Sequence, residues 1–89
     1  MVKRGKLEIM KDILNIIKEN KNLIKPTPLL RKSNLSSQRF QKYFSELIKK
    51  GFIKEVEDKN GKLIGLTDKG FKFLERYRTI ISFIDEFEL

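Results

Sequence analysis

Apolar residues recur at three- and four-residue steps over residues 7–20. Leu7, Met10, Ile13, Leu14 and Ile17 make the stripe, with Lys11, Asp12, Asn15 and Lys18 between them. That period predicts an amphipathic helix. Asn20-Lys21-Asn22 predicts its end, because Asn tolerates the left-handed backbone that helix termini often need. Lys25-Pro26-Thr27-Pro28 comes next. Proline pushes the residue before it out of helical geometry, so Lys25 and Thr27 are expected to be extended. Thr27 then caps a short helix that starts at Pro28 and reaches Ser33. Asn34-Leu35 breaks it. Ser36 is the cap of a third helix, Ser37 to Lys50, whose stripe is Phe40, Tyr43, Phe44, Leu47 and Ile48. Gly51 supplies the left-handed stop, and Lys49 and Lys50 complement the negative end of the helix dipole.

The period then shortens to two. Phe52-Ile53-Lys54-Glu55-Val56 and Lys62-Leu63-Ile64-Gly65-Leu66 flank Asp58-Lys59-Asn60-Gly61, a hairpin signal. A two-residue Asn60-Gly61 turn would pair Val56 with Gly65 and scatter the apolar side chains over both faces. A three-residue Lys59-Asn60-Gly61 loop pairs Asp58 with Lys62 and Val56 with Ile64. Phe52, Val56, Ile64 and Leu66 then share one face, with Lys54 the misfit. A single buried face sets register, so the three-residue loop is the expectation. Thr67 caps a last helix from Asp68 to about Phe87. No internal repeat or low-complexity segment appears.

Composition narrows the chemistry. The chain has 89 residues, which is one domain, and it contains neither Cys nor His. Disulfides, thiolate metal sites, the commonest metal ligand and the usual general base are absent together. No paired carboxylates on an apolar background, phosphate-cradling Gly loop or metal-ligand spacing is present, so an enzyme is not expected. No cofactor and no small-molecule ligand is evident either. No apolar run approaches the length of a bilayer span, and no signal peptide follows the basic first residues. The protein is expected to be cytoplasmic.

The net charge is +8, with 20 Lys and Arg against 12 Asp and Glu. Such a surplus points to a polyanionic partner. It is concentrated: residues 1–50 hold thirteen basic and four acidic side chains, a balance of +9, whereas residues 67–89 have a balance of −1. Lys3, Arg4 and Lys6 are candidates for a basic arm. The tail Asp85-Glu86-Phe87-Glu88-Leu89 is acidic and apolar, and phosphate would repel it.

Two helices joined by a short turn, then a hairpin, make a winged helix-turn-helix, with Ser37 to Lys50 as the recognition helix. At about 100° per residue, Phe40, Phe44 and Leu47 fall in one arc. Gln38, Lys42, Ser45 and Lys49 fall opposite, flanked by Gln41 and Arg39. The helix's one carboxylate, Glu46, sits to one side. Gln pairs two-pronged with adenine, and Lys or Arg with guanine or phosphate. The helix start at Ser36 and Ser37 offers N–H groups to a phosphate. Lys59, Asn60 and Lys62 at the wing tip are expected beside the DNA backbone. A solvated polar helix face and an ordinary hairpin turn are the plainer readings of the same residues.

The segment from Asn34-Leu35-Ser36-Ser37 through Tyr43-Phe44-Ser45-Glu46-Leu47-Ile48-Lys49-Lys50-Gly51-Phe52-Ile53 resembles the recognition helix and first wing strand of archaeal winged-helix DNA-binding proteins. Leu66-Thr67-Asp68-Lys69-Gly70-Phe71-Lys72-Phe73-Leu74 looks like that family's signature at the start of its final helix. The resemblance implies transcriptional regulators, or small chromatin proteins that dimerise through a long C-terminal helix. It implies no catalytic residues and no obligatory ligand.

The last helix fits that implication. Phe73, Tyr77, Ile80, Ile84 and Phe87 step by four, three, four, three, a heptad seam, and Phe71, Leu74 and Ile81 lie beside it. A lone winged helix needs only the first two turns of this helix for its core. Leaving Ile80, Ile81, Phe83, Ile84 and Phe87 bare would expose a patch larger than soluble monomers usually show. Antiparallel pairing with a second copy is the expectation, and folding back on the first helix is the alternative.

The expected fold is therefore mainly α with a small β-hairpin, one domain over 1–89. A winged helix-turn-helix core spans about 7–66, and 67–89 forms the C-terminal dimerisation helix. The expected function is double-stranded DNA binding as a homodimer, by a transcriptional regulator or a nucleoid-associated architectural protein. A winged-helix protein-interaction module and a membrane-surface protein with a basic amphipathic helix are the competing classes. The apolar face of the first helix is better used in a core than on a membrane.

Overall fold

The computed structural model describes residues 5–89. It contains α1 (Lys6–Glu19), α2 (Pro26–Ser33), α3 (Ser37–Lys49), β1 (Ile53–Asp58), β2 (Gly61–Leu66) and α4 (Asp68–Glu86), in that order. Helix α1 is the centre of the core. Its stripe of Ile9, Met10, Ile13, Leu14 and Ile17 is buried throughout. Around it lie Leu29 of α2, Phe40 and Leu47 of α3, Ile53, Ile64 and Leu66 of the hairpin, and Leu74 of α4. Each aliphatic side chain fully removed from water contributes about 1.5–3 kcal/mol, so this cluster outweighs any surface ion pair in the molecule.

The caps of α3 and α4 are as expected. The Ser36 hydroxyl accepts from the Arg39 N–H at 3.2 Å, and the Thr67 hydroxyl accepts from the Gly70 N–H at 3.1 Å. Asn34 adopts the left-handed conformation that ends α2, and Gly51 does so just beyond α3. Thr67 also ties the base of the hairpin together. Its hydroxyl donates to the Gly51 carbonyl, and its N–H donates to the Phe52 carbonyl at 3.1 Å.

Two local expectations are corrected. Helix α2 starts at Pro26, not Pro28, so Lys25 is the N-cap and Thr27 is helical rather than an extended cap. Both prolines fit the first turn, where four N–H groups lack intrahelical partners in any case. Lys25 is extended, as expected before proline. The end of α1 falls at Asn20-Lys21-Asn22 as expected, with Lys21 and Asn22 at positive φ.

The second correction concerns the hairpin. Its register pairs Ile53 with Leu66, Glu55 with Ile64, Val56 with Leu63 and Asp58 with Gly61, leaving a Lys59-Asn60 loop. Neither of the two loops considered from the sequence has this register. The Asp58 carboxylate accepts from the Asn60 N–H at 2.8 Å, and Gly61 takes φ +107°, which together close the turn one residue early. Phe52 leaves the sheet and packs edge-on against Phe73 of α4, with ring centroids 5.1 Å apart. Val56 pairs instead with Leu63 on the face away from Ile53, Ile64 and Leu66. The wing thus has apolar residues on both faces, and the one-face rule for register fails.

A further strand-like contact was not anticipated. Ile24, between α1 and α2, forms an antiparallel bridge with Ile64 through hydrogen bonds of 3.0 and 2.8 Å. The Asn22 side chain extends this contact by accepting from the Leu66 N–H at 2.8 Å. No helix among the described residues is long and apolar enough to cross a membrane.

Candidate nucleic-acid interface

Helix α3 sits on the core through Phe40 and Leu47, which are buried, and Tyr43, Phe44 and Ile48, which are half-buried. Phe40 and Phe44 stack at 5.4 Å. That packing fixes the rotation of the helix. It turns Ser37, Gln38, Arg39, Gln41, Lys42, Ser45 and Lys49 outward, and all are exposed. Gln41 reaches Ser45 at 3.5 Å, one turn along, and the Lys42 ammonium lies 5.6 Å from the Tyr43 ring centroid. The N-cap Ser36 is exposed at the positive end of the helix dipole.

Glu46 is half-buried and turned away from this face. Its carboxylate lies 2.6 Å from the Lys6 ammonium and 4.0 Å from that of Lys50. The hydrogen bond from Lys6 holds its carboxyl below the ordinary value of 4.5, against a smaller opposing effect of burial. Lys6 therefore belongs to α1 and to this ion pair, not to a free arm. Lys3 and Arg4 lie outside the described residues. Lys50, at the end of α3, is exposed beside this pair.

The wing presents a second, weaker cluster. Lys59, Asn60 and Lys62 are exposed at or beside its tip. Lys62 is paired with Glu55 at 3.2 Å, and the Asn60 N–H is held by Asp58. With three basic and three acidic residues in 51–66, the wing is electrically balanced, unlike α3.

The residues expected to pair two copies lie along α4. Phe73, Tyr77 and Ile84 are half-buried, whereas Ile80, Ile81 and Phe87 are exposed. Phe73 stacks on Tyr77 at 6.3 Å, and the Lys11 ammonium of α1 lies 5.5 Å from the Tyr77 ring. Contact with α1 therefore reaches Tyr77. Farther along the helix Ile80 is 56% exposed and Phe83 55% exposed. Of the second stripe, Leu74 is buried in the core, while Phe71 and Ile81 are exposed. Among the described residues, no group of three His, Cys, Asp or Glu side chains is placed to hold a metal ion.

Helix-turn-helix, paired strands and a capped final helix define a winged helix-turn-helix protein. The family model of that description, winged helix-turn-helix, matches residues 3–85, and the chain belongs to this family. Solved structures share the fold. Sso10a-2, a DNA-binding protein from Sulfolobus solfataricus, is similar with a TM-score of 0.75 and 24% identity, over 96% of this chain and 86% of that one. F93 from STIV, described as a winged-helix DNA-binding protein, gives 0.73 and 21% identity over 89% and 91%. The PcaV transcriptional regulator from Streptomyces coelicolor gives 0.75 and 18% identity, over 88% of this chain but 59% of that one. No curated protein is similar enough to match the chain.

Proposed function

We propose that the protein binds double-stranded DNA as a homodimer and acts as a transcriptional regulator, with α3 in the major groove and the wing tip, residues 58–62, on the backbone. The outward face of α3 carries this reading. Gln38, Arg39, Gln41, Lys42, Ser45 and Lys49 are all exposed there, while the helix's carboxylate, Glu46, is turned aside and neutralised. Gln reads adenine two-pronged, Arg and Lys read guanine or phosphate, and Ser36 and Ser37 open a helix N-terminus to a phosphate. The descriptions of Sso10a-2, F93 and PcaV as DNA-binding or regulatory proteins support the same reading.

The homodimer follows from α4. Ile80, Ile81, Phe83 and Phe87 are exposed together on one helix, beyond the reach of their own core. A twofold pair would set two recognition helices about 34 Å apart, or a multiple of it, to meet a palindromic site. Ile84→Glu is expected to give monomers in sedimentation, and a dimer of unchanged stability would remove the pairing through α4.

Lys42→Glu tests the docking helix. It should weaken binding to duplexes of every sequence and reduce the slope of log affinity against log salt by about one. Unchanged slope and affinity would exclude α3 as the docking element. A second reading is favoured by the +9 balance of residues 1–50, which attracts phosphate without regard to sequence: an architectural, nucleoid-associated protein of the same fold. Selection of bound duplexes from a random pool at two salt concentrations separates the two. A regulator enriches one motif at both; an architectural protein enriches none. No duplex affinity at all would leave a protein-interaction module.

A further inference from the structure

The two ends of α3 differ in charge. Its 13 residues make it about 20 Å long, whereas the major groove is about 12 Å wide and curves around the duplex. A straight helix of that length meets phosphates near both ends, not base edges alone. The start of α3 suits an anion, through Ser36, Ser37 and the positive end of the dipole. The other end should repel one, because the carbonyls of a helix C-terminus carry about half a negative charge.

That end is covered with cations. Its carbonyls are closed locally: Glu46 accepts from the Lys50 N–H at 2.9 Å, Ile48 from the Gly51 N–H at 3.0 Å and Leu47 from the Phe52 N–H at 3.0 Å. The Lys50 carbonyl instead accepts from the Lys69 ammonium of α4 at 2.8 Å. Lys49 and Lys50 are exposed beside it, and with Ser45 and Glu46 they line a hollow of about 610 Å³. The charge continues along α4. At about 100° per residue, Lys69, Lys72 and Arg76 fall within an arc of roughly 60°, a row about 10 Å long that starts at the end of α3. Lys72 is exposed and forms no ion pair among the described residues. Two carboxylates stand near. Glu46 is neutralised by Lys6, and Asp68 lies in the first turn of α4, where the dipole is positive. Closing α3 accounts for Lys69, and its dipole accounts for Lys49 and Lys50. Neither accounts for Lys72, a turn farther along α4.

We infer that the end of α3 and the root of α4 form a second phosphate-binding surface. Lys50 and Lys72 contact the backbone that flanks the bases met by α3, and Lys69 cancels the carbonyl end that would repel it. This rests on the docking of α3 proposed above and adds residues outside the helix-turn-helix and the wing. Phosphate contacts carry no sequence information, so the surface sets how α3 is seated and not which bases it prefers.

The test is Lys50→Ala with Lys72→Ala in the full chain. Neither side chain caps a helix, and the Lys50 ammonium approaches only Glu46, at 4.0 Å, so the fold is retained. The slope of log affinity against log salt should fall by about two per bound chain. The motif selected from a random pool should stay the same. Lys18→Ala is the control, because Lys18 stands with Phe71 and Arg78 on another flank of α4. It should leave the slope as it was. An unchanged slope in the double variant, or an equal fall per lysine in the control, would overturn the surface. A second measurement replaces single phosphates of the duplex by neutral methylphosphonates. Wild type should lose affinity several-fold at a phosphate flanking the contacted bases, and the double variant should lose nothing further there. Losses that add at every phosphate would overturn the contact. Docking by α3 fails separately: a Lys42→Glu chain that binds as before removes both readings, whereas a weakened Lys42→Glu chain beside an unaffected double variant removes only this one.

Discussion

Helix α1 and the second half of α4 both carry an apolar line at three- and four-residue steps, but Ile13 of α1 is fully buried and Ile80 of α4 is 56% exposed. Helices α2, α3 and α4 and strand β2 all pack on α1. Beyond Tyr77, Ile80 and Phe83 of α4 are exposed among the described residues. The difference teaches what a hydrophobic period says. It states that a face needs covering, but not whether the same chain does the covering. In α1 the answer lies in the surrounding elements; in α4, on the reading proposed here, it is a second copy.

The sharpest way to test that contrast is to make the same truncation on each helix. Ile13→Ala should cost about 2–5 kcal/mol of unfolding free energy in denaturant titrations, independent of protein concentration. Ile80→Ala should leave the dilute chain nearly as stable as before and change only the concentration dependence of the midpoint. Equal losses at both positions, both independent of concentration, would erase the distinction between the two helices.

A smaller effect is expected where α4 leaves the core. A Cβ at Gly70 would run into the Phe52 carbonyl, a backbone atom with little room to yield. Gly70→Ala should cost about 1–3 kcal/mol in spite of the better helix propensity of Ala. A gain in stability would show that the root of α4 is looser than that of α1.

The smallest expected effect concerns the start of α1, tied to α3 by Lys6 and Glu46. Because the folded protein lowers the Glu46 carboxyl below 4.5, its contribution is complete above that pH and fades as acid titrates the carboxylate. Glu46→Gln should therefore lower stability slightly at neutral pH, and the gap to wild type should narrow below about pH 4. A gap that widened in acid would have the wrong sign for this pair.

Much of the architecture was legible in the chain. Ser36, Gly51 and Thr67 mark helix ends through chemistry that is local and nearly independent of context, and their elements fall where expected. The outward set on α3 was legible because Phe40, Phe44 and Leu47 fix the helix rotation. What was not legible depends on distant partners. The hairpin register was set by Phe52 leaving for Phe73 and by Val56 finding Leu63, contacts that alternation alone does not encode. The bridge from Ile24 to Ile64, and the Asn22 side chain on the Leu66 N–H, join segments some forty residues apart. The neutral wing was written in the residue counts, but the Lys62–Glu55 pair depends on the register.

Thr67 has a wider consequence. It fastens the turn after α3, the foot of the wing and the first turn of α4 at one point, through Gly51, Phe52 and Gly70. The recognition helix thus has no free joint separating it from the long helix. A pair built on α4 would behave as a stiff caliper, its jaws held at one opening, and would tolerate little variation in the spacing of the marks it measures.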